Sequence, residues 1–286
     1  MADQKLIKER IKATEKTYQI TNAMNMVSTS KLRKSEKSLK QFRPISDEIK
    51  RMMISLVSNS NELSHPTLID NGAKPCYILI ASDRGLIGNY NNALFKYFDG
   101  YIKEHHKSND EFYVATIGFK AFSYAKRKRY NLINEENINI RDDILFIDFS
   151  EVSDLIRKGY IEGRIGKTTV FYTSFVNTIT NKIIEETILP ISVLKDDSTD
   201  HQEYIYEPGI EMVLDRVIDL YVDYSLYRII LEAKTSEHAS RMNAMKNAKD
   251  NAKDIEEKLT LEYNHARQNQ ITTELIDIIN GSNAIN

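Results

Sequence analysis

Toward both ends of the chain, apolar residues recur at intervals of three and four. Residues 3–57 contain no glycine, and Ile7, Ile11 and Tyr18 are followed by Ile20, Met24 and Val27, then by Leu32, Leu39, Phe42, Ile45, Ile49, Met53 and Leu56. That spacing predicts a helix whose apolar stripe drifts around its surface. Pro44 is the one interruption, and because it lacks an amide donor it is expected to kink or divide the helix. From Pro208 to Asn280 only Gly209 breaks the composition. Here the stripe is cleaner, running through Val213, Val217, Leu220, Tyr224 and Tyr227, then Met242, Met245, Ala248, Ala252, Ile255, Leu259, Tyr263 and Ala266. Pro208 suits a first helical turn and Gly281 a stop.

Two helices this long are not ordinary globular helices, since periodic patterns beyond about 25 residues mean a coiled coil, a membrane span or a helical repeat. No repeat of the required period is present and the segments are too charged for a membrane, which leaves an antiparallel coiled coil made from the chain's own ends. At about 1.5 Å per residue the first helix reaches roughly 80 Å and the second roughly 110 Å. The second is therefore expected to overhang by about its last 20 residues. That tip carries Ile271, Leu275, Ile276, Ile278, Ile279 and Ile285. An unpaired helix so apolar needs another protein to enclose it, unless it folds back on its own chain.

Between the ends the pattern alternates. Cys76–Ser82, Phe112–Ile117, Ile144–Phe149 and Thr168–Phe175 read as strands, and Ile179–Ile188 as a further edge strand or hairpin. Helical stretches follow to about Lys107, to about Arg129 and over 151–162, the last capped by Ser150. Strands separated by helices predict a small, largely parallel α/β sheet of Rossmann-like type. The expected organisation is an N-terminal shaft helix at 1–57, a central α/β domain at 58–202 and a C-terminal shaft helix at 203–286.

Charge sharpens this division. The chain of 286 residues has 39 Lys+Arg and 41 Asp+Glu, a net of -2. Residues 1–57 hold 13 basic and 6 acidic residues, a net of +7, whereas 203–286 hold 9 and 15, a net of -6. Opposite signs fit two segments lying against each other. Near-neutrality argues against bulk-charge binding of nucleic acid, although a scaffold gripping nucleic acid with its +7 arm is one reading. A lone Cys76 excludes an intrachain disulfide, and the charged start MADQKLIKER has no apolar signal core, so a protein of the cytosolic side is expected.

Candidate chemistry is sparse. Gly166-Lys167-Thr168 ends like a phosphate-binding loop, but Ile161 stands where the loop needs glycine, and the motif precedes a strand instead of opening a helix. It is the basis of an alternative reading, a nucleotide-binding α/β enzyme with helical arms. Asp83–Asn89 lies after the first strand, where α/β proteins bind ligands, yet its two glycines are not the dinucleotide fingerprint. Histidines 65, 105, 106, 201, 238 and 265 have no metal-binding spacing. Cys76 is expected to be packed, and Ser236, His238 and Ser240 point to different sides of a helix.

The terminal segments and the first loop resemble a known family. Gln19-Ile20-Thr21-Asn22-Ala23-Met24-Asn25-Met26-Val27-Ser28-Thr29-Ser30-Lys31-Leu32 is similar to the N-terminal signature of the γ subunit of F-type ATP synthases. Ser82-Asp83-Arg84-Gly85-Leu86 resembles that family's central loop. The run from Ser236 to Ala248, followed by Leu261–Gln268 and Ile271-Thr272-Thr273-Glu274, resembles its C-terminal segment. The resemblance covers the whole chain in order. It departs at Ile87-Gly88-Asn89 and at Asn280-Gly281-Ser282-Asn283-Ala284.

The resemblance implies a non-catalytic central-stalk rotor, one copy per complex, that couples shaft rotation to ATP synthesis or hydrolysis. Its implied partners are the α and β subunits of a catalytic ring, an ε subunit and a membrane c-ring at the base, with no nucleic acid. It implies no bound cofactor, ATP, ADP and Mg being held by partner subunits, and a peripheral place on the cytoplasmic face of a bacterial membrane. Met24, Arg241, Gln268, Thr272 and Glu274 match family positions that meet the ring. Lys31, Arg33 and Lys34 are implied electrostatic contacts to its acidic segment, and Ile271, Leu275, Ile278 and Ile279 line the tip that turns in a sleeve. The Lys-, Asn- and Ile-rich composition also admits the shaft of an F-type-like motor not used for ion-driven synthesis.

Overall fold

A computed structural model describes residues 2–58, 65–142, 150–191, 207 and 209–283. The helix α1 spans Ala2–Ser58, with Pro44 inside it and no break there. Strand β1 spans Cys76–Ile80 and helix α2 Tyr90–His105; β2 is Tyr113–Ile117, α3 Phe119–Lys128 and α4 Ser150–Ile161. Strands β3 (Thr168–Phe175) and β4 (Asn181–Leu189) precede α5, which runs from Ile210 to Asn283. The fold is thus a small α/β domain between two long helices that pair. The expected strand Ile144–Phe149, Pro208 and Ile285 lie outside the described residues. α5 does not stop at Gly281; glycine permits a helix to end without forcing it, and no proline follows.

The sheet order is β2-β1-β3-β4. β1 is parallel to both β2 and β3, while β3 and β4 form an antiparallel pair. All five residues of β1 are buried because the sheet is covered on both faces. Cys76, Ile78 and Ile80 face a core shared with α1, α4 and α5. Tyr77 and Leu79 face α2 and α3, where Leu94, Phe98, Ala121, Tyr124 and Phe171 complete a second core. β4, half-exposed along most of its length, closes one edge.

By contact density the chain forms two compact units, one of residues 1–29 with 241–286 and one of residues 30–240. In the first, Thr21, Ser28, Met245, Ala252 and Leu259 are buried, and the Asn25 amide donates to the carbonyl of Met242 at 3.3 Å. In the second, Ser35 and Thr235 hydroxyls meet at 2.6 Å, and Phe42 stacks on Tyr224 and edges against Tyr227.

The contact seam of α1 follows a strict seven-residue repeat. Positions 7, 11, 14, 18, 21, 25, 28, 32, 35, 39, 42, 46, 49, 53 and 56 are all buried or half-buried, in alternating steps of four and three. Six of them are Thr14, Thr21, Asn25, Ser28, Ser35 and Ser46. Small polar side chains let two helices approach closely, and Thr21 and Ser28 donate to carbonyls one turn back, which satisfies their hydroxyls. Ile20, Val27 and Ile45, which the apolar pattern places in the stripe, lie off this seam and are exposed.

Candidate functional site

The motifs that resemble ligand sites are structural in the fold. Asp83 holds two backbone amides, that of Phe119 at 2.9 Å and that of Ile140 at 2.7 Å, and so ties the start of α3 to the segment beside β2. Gly118 has φ +94°, and a Cβ there would lie 1.9 Å from the carbonyl oxygen of Ala81. The loop presents Arg84 and Leu86 to solvent, Leu86 at φ +62°, a backbone state that costs a residue with a Cβ about 1 kcal/mol or more. Gly166-Lys167-Thr168 leads directly into β3. Gly166 donates to the Lys74 carbonyl at 2.6 Å, and a Cβ on it would meet the Ala73 oxygen at 2.2 Å. The motif is a close crossing of two chains.

The titratable residues diverge. His106 meets the Tyr77 hydroxyl at 2.7 Å, while His105 stacks on Tyr101. Burial pushes the Cys76 thiol up to about 12, so it is a packed and unreactive group. Among the described residues no cluster of three or more His, Cys, Asp and Glu is placed to hold a metal ion, and no helix is long and apolar enough to cross a membrane.

What the second unit does contain is a collar of buried charge around α5, whose residues Leu231–Ala239 are buried without interruption. Glu232 accepts from Ser174 at 2.8 Å and from Tyr172 at 3.3 Å, and pairs with Arg43 of α1 at 3.0 Å and with Arg228 at 3.2 Å. Burial alone would lower the Arg228 pKa, but Glu186 and Glu232 outweigh it and raise the pKa above its ordinary value. Next along the helix, Lys234 donates to the Ile140 carbonyl at 2.9 Å and lies 3.2 Å from Asp142 and 3.4 Å from Glu237. Asp142 also meets Lys31 at 2.6 Å and His238 at 3.4 Å. Partial burial opposes its charge, yet these cations hold its carboxyl well below the usual range. Glu232, Lys234 and His238 are buried, whereas the Lys31 and Asp142 side chains are 41 and 42% exposed; neither cluster shows in the sequence, where charge reads as a solvated face.

The residues singled out in the sequence fall in two places. In the first unit, Met24 and Arg241 are half-buried, and Gln268, Thr272 and Glu274 are exposed. Thr272 donates to the Gln268 carbonyl at 2.9 Å, and Glu274 accepts from Gln270 at 2.7 Å. All ten residues of 271–280 are exposed, with Ile271, Leu275, Ile278 and Ile279 at 44, 54, 68 and 58%. The tip therefore continues as helix and does not fold back on the chain. In the second unit Arg33 and Lys34 are exposed, whereas Lys31 is engaged by Asp142.

This architecture, a small α/β domain between paired terminal helices, is that of rotor stalks. The chain resembles the rotor in the Euglena gracilis mitochondrial ATP synthase with a TM-score of 0.68 at 14% identity, over 94% of this chain and 99% of that one. A chain of the Tetrahymena thermophila mitochondrial ATP synthase central stalk and c-ring matches with a TM-score of 0.59 at 22% identity, over 80% and 99%. In sequence, a family model described as ATP synthase matches residues 3–285. ATP synthase gamma chains of Staphylococcus saprophyticus and Staphylococcus haemolyticus are each 37% identical over the full length of both chains. The chain belongs to the ATP synthase gamma-chain family.

Proposed function

We propose that this chain is the central-stalk rotor of an F-type rotary ATPase, with α1 and α5 as the shaft and the sheet domain as its base. The observation that carries the proposal is the run of ten exposed helical residues at 271–280, which presents isoleucine and leucine on several faces. Enclosing a side chain of this kind is worth about 1.5–3 kcal/mol, so a sleeve that covers the tip gains on the order of 10 kcal/mol before the cost of ordering. Ring-forming α and β subunits would supply that sleeve. Arg33 and Lys34 are free to meet an acidic segment of the ring, and Met24, Arg241, Gln268, Thr272 and Glu274 are the further contacts this reading assigns.

On this reading the chain does no chemistry. ATP, ADP and Mg belong to the partner subunits, and the asymmetric shaft makes successive catalytic sites differ by favouring one conformation at each angle. The base meets an ε subunit and a membrane c-ring, on the cytoplasmic face of a bacterial membrane, with one copy per complex. Co-purification tests this. The tagged chain is expected to bring down α and β subunits in a complex that hydrolyses ATP, and to show no ATPase activity alone; hydrolysis by the isolated monomer would overturn the proposal.

A further inference from the structure

Nine consecutive buried residues make α5 a fully enclosed helix between Leu231 and Ala239, and such helices are ordinarily apolar all round. This one carries Glu232, Lys234, Glu237 and His238, although each buried charge costs several kcal/mol unless it is paired. The pairing around Asp142 has a particular form. Its carboxylate receives Lys31 from α1 on one oxygen, and Lys234 and His238 from α5 on the other. Asp142 itself belongs to the segment that follows β2 and α3. That segment is fixed to the sheet domain by the Gly118 amide on the Ile138 carbonyl at 2.7 Å and by the Ile140 amide on Asp83 at 2.7 Å. The Ile140 carbonyl takes the Lys234 ammonium as well.

Apolar packing resists both separation and rotation of two helices, through many contacts that are individually weak. Charged hydrogen bonds to a fixed loop add a directional restraint on rotation, because they hold only in one orientation. We propose that Asp142 is a torsional pin: it locks the rotational setting of α1 and α5 against the 138–142 loop, so that torque carried by the helices reaches the sheet domain without slack. The proposal rests on the rotor reading. Asp142 touches no nucleotide, and its role is to position the helices that do the turning.

The test uses the assembled complex with its ring fixed to a surface and an orientation probe on the sheet domain, read during pauses between ATP-driven steps. Angular variance is inversely proportional to torsional stiffness. A charged hydrogen bond is about twice as strong as a neutral one, and Asp142→Asn weakens one restraint among several, so the variance is expected to rise by up to about twofold. Asp142→Glu should restore most of the wild-type value, and Glu104→Gln, on the exposed side of α2, should leave it unchanged. ATP hydrolysis at low load should stay at the wild-type rate in all three. Unchanged variance in Asp142→Asn, or equal widening in Glu104→Gln, overturns the pin while leaving the rotor reading intact. If Asp142→Asn fails to assemble, Lys31→Met removes only the α1 arm and must widen the variance in its place; no widening overturns the pin. Failure of the wild-type chain to enter a ring overturns the rotor reading and the pin with it.

Discussion

Two stretches of the same helix invert the usual relation between polarity and burial. Between Leu231 and Ala239, α5 is wholly buried and carries four ionisable side chains; between Ile271 and Asn280 it is wholly exposed and carries five isoleucines and leucines. Each stretch is costly alone. The first is stabilised inside the chain: Glu232, Lys234 and His238 have partners on α1, the sheet or the 138–142 loop, and Glu237 pairs with Lys234 on α5 itself. The second finds nothing to cover it within its own unit, so what it lacks must come from elsewhere. The collar is where the chain completes itself, and the tip is where it depends on others.

The largest expected effect falls on the collar. Glu232 is 5% exposed in its side chain and gathers Arg43, Arg228, Tyr172 and Ser174. Glu232→Ala leaves Arg228 and the Tyr172 and Ser174 hydroxyls facing a buried vacancy, and breaking a buried ion network in this way costs about 3–5 kcal/mol. Urea denaturation of the isolated chain should show that loss. A change below about 1 kcal/mol would mean that the network is no better than surface pairing, and the contrast with the tip would fail.

At the tip the expectation is reversed. Ile278 and Ile279 are 68 and 58% exposed, so the double change to Asp should leave the stability of the isolated chain within about 0.5 kcal/mol. If a partner encloses both, the same change removes about 1.5–3 kcal/mol of binding for each side chain. Titration of the ring with the rotor should then show affinity falling by at least about a hundredfold. Equal affinity of variant and wild type would show that the tip is not enclosed at all.

How much of this could be read from the sequence follows from the same physics. The helical ends, the buried run of β1 and the hairpin edge at β4 show in the spacing of apolar residues, because in each the apolar side chains do the packing; the exposed tip shows instead in the unequal lengths of the two helices. The seam of α1 shows less well. Ile20, Val27 and Ile45 attract the eye and are exposed, while Thr21, Ser28 and Ser46 sit in the contact because close helix approach favours small side chains. The collar does not show at all. Glu232, Lys234, His238 and Asp142 are ordinary surface residues until a fold brings their partners from 90 to 200 positions away in the chain. Asp83, likewise, reads as a ligand-loop carboxylate, and only the fold shows it bracketing Phe119 and Ile140.

The smallest effect separates both stretches from any chemistry of the chain's own. In a phosphate-binding loop the lysine is the sensitive residue, since it meets the phosphates, and the residue beside it serves only the turn. Here the sensitivities should be exchanged. Lys167 is exposed, so Lys167→Ala should shift stability by no more than about 0.5 kcal/mol and leave the ATPase rate of the assembled complex unchanged. Gly166→Ala, by contrast, drives a methyl group to 2.2 Å from a backbone oxygen of the neighbouring chain segment and should lower the melting temperature on its own. Loss of hydrolysis in Lys167→Ala with an unaltered melting temperature would place a nucleotide site in this chain and would overturn its reading as a rotor without chemistry of its own.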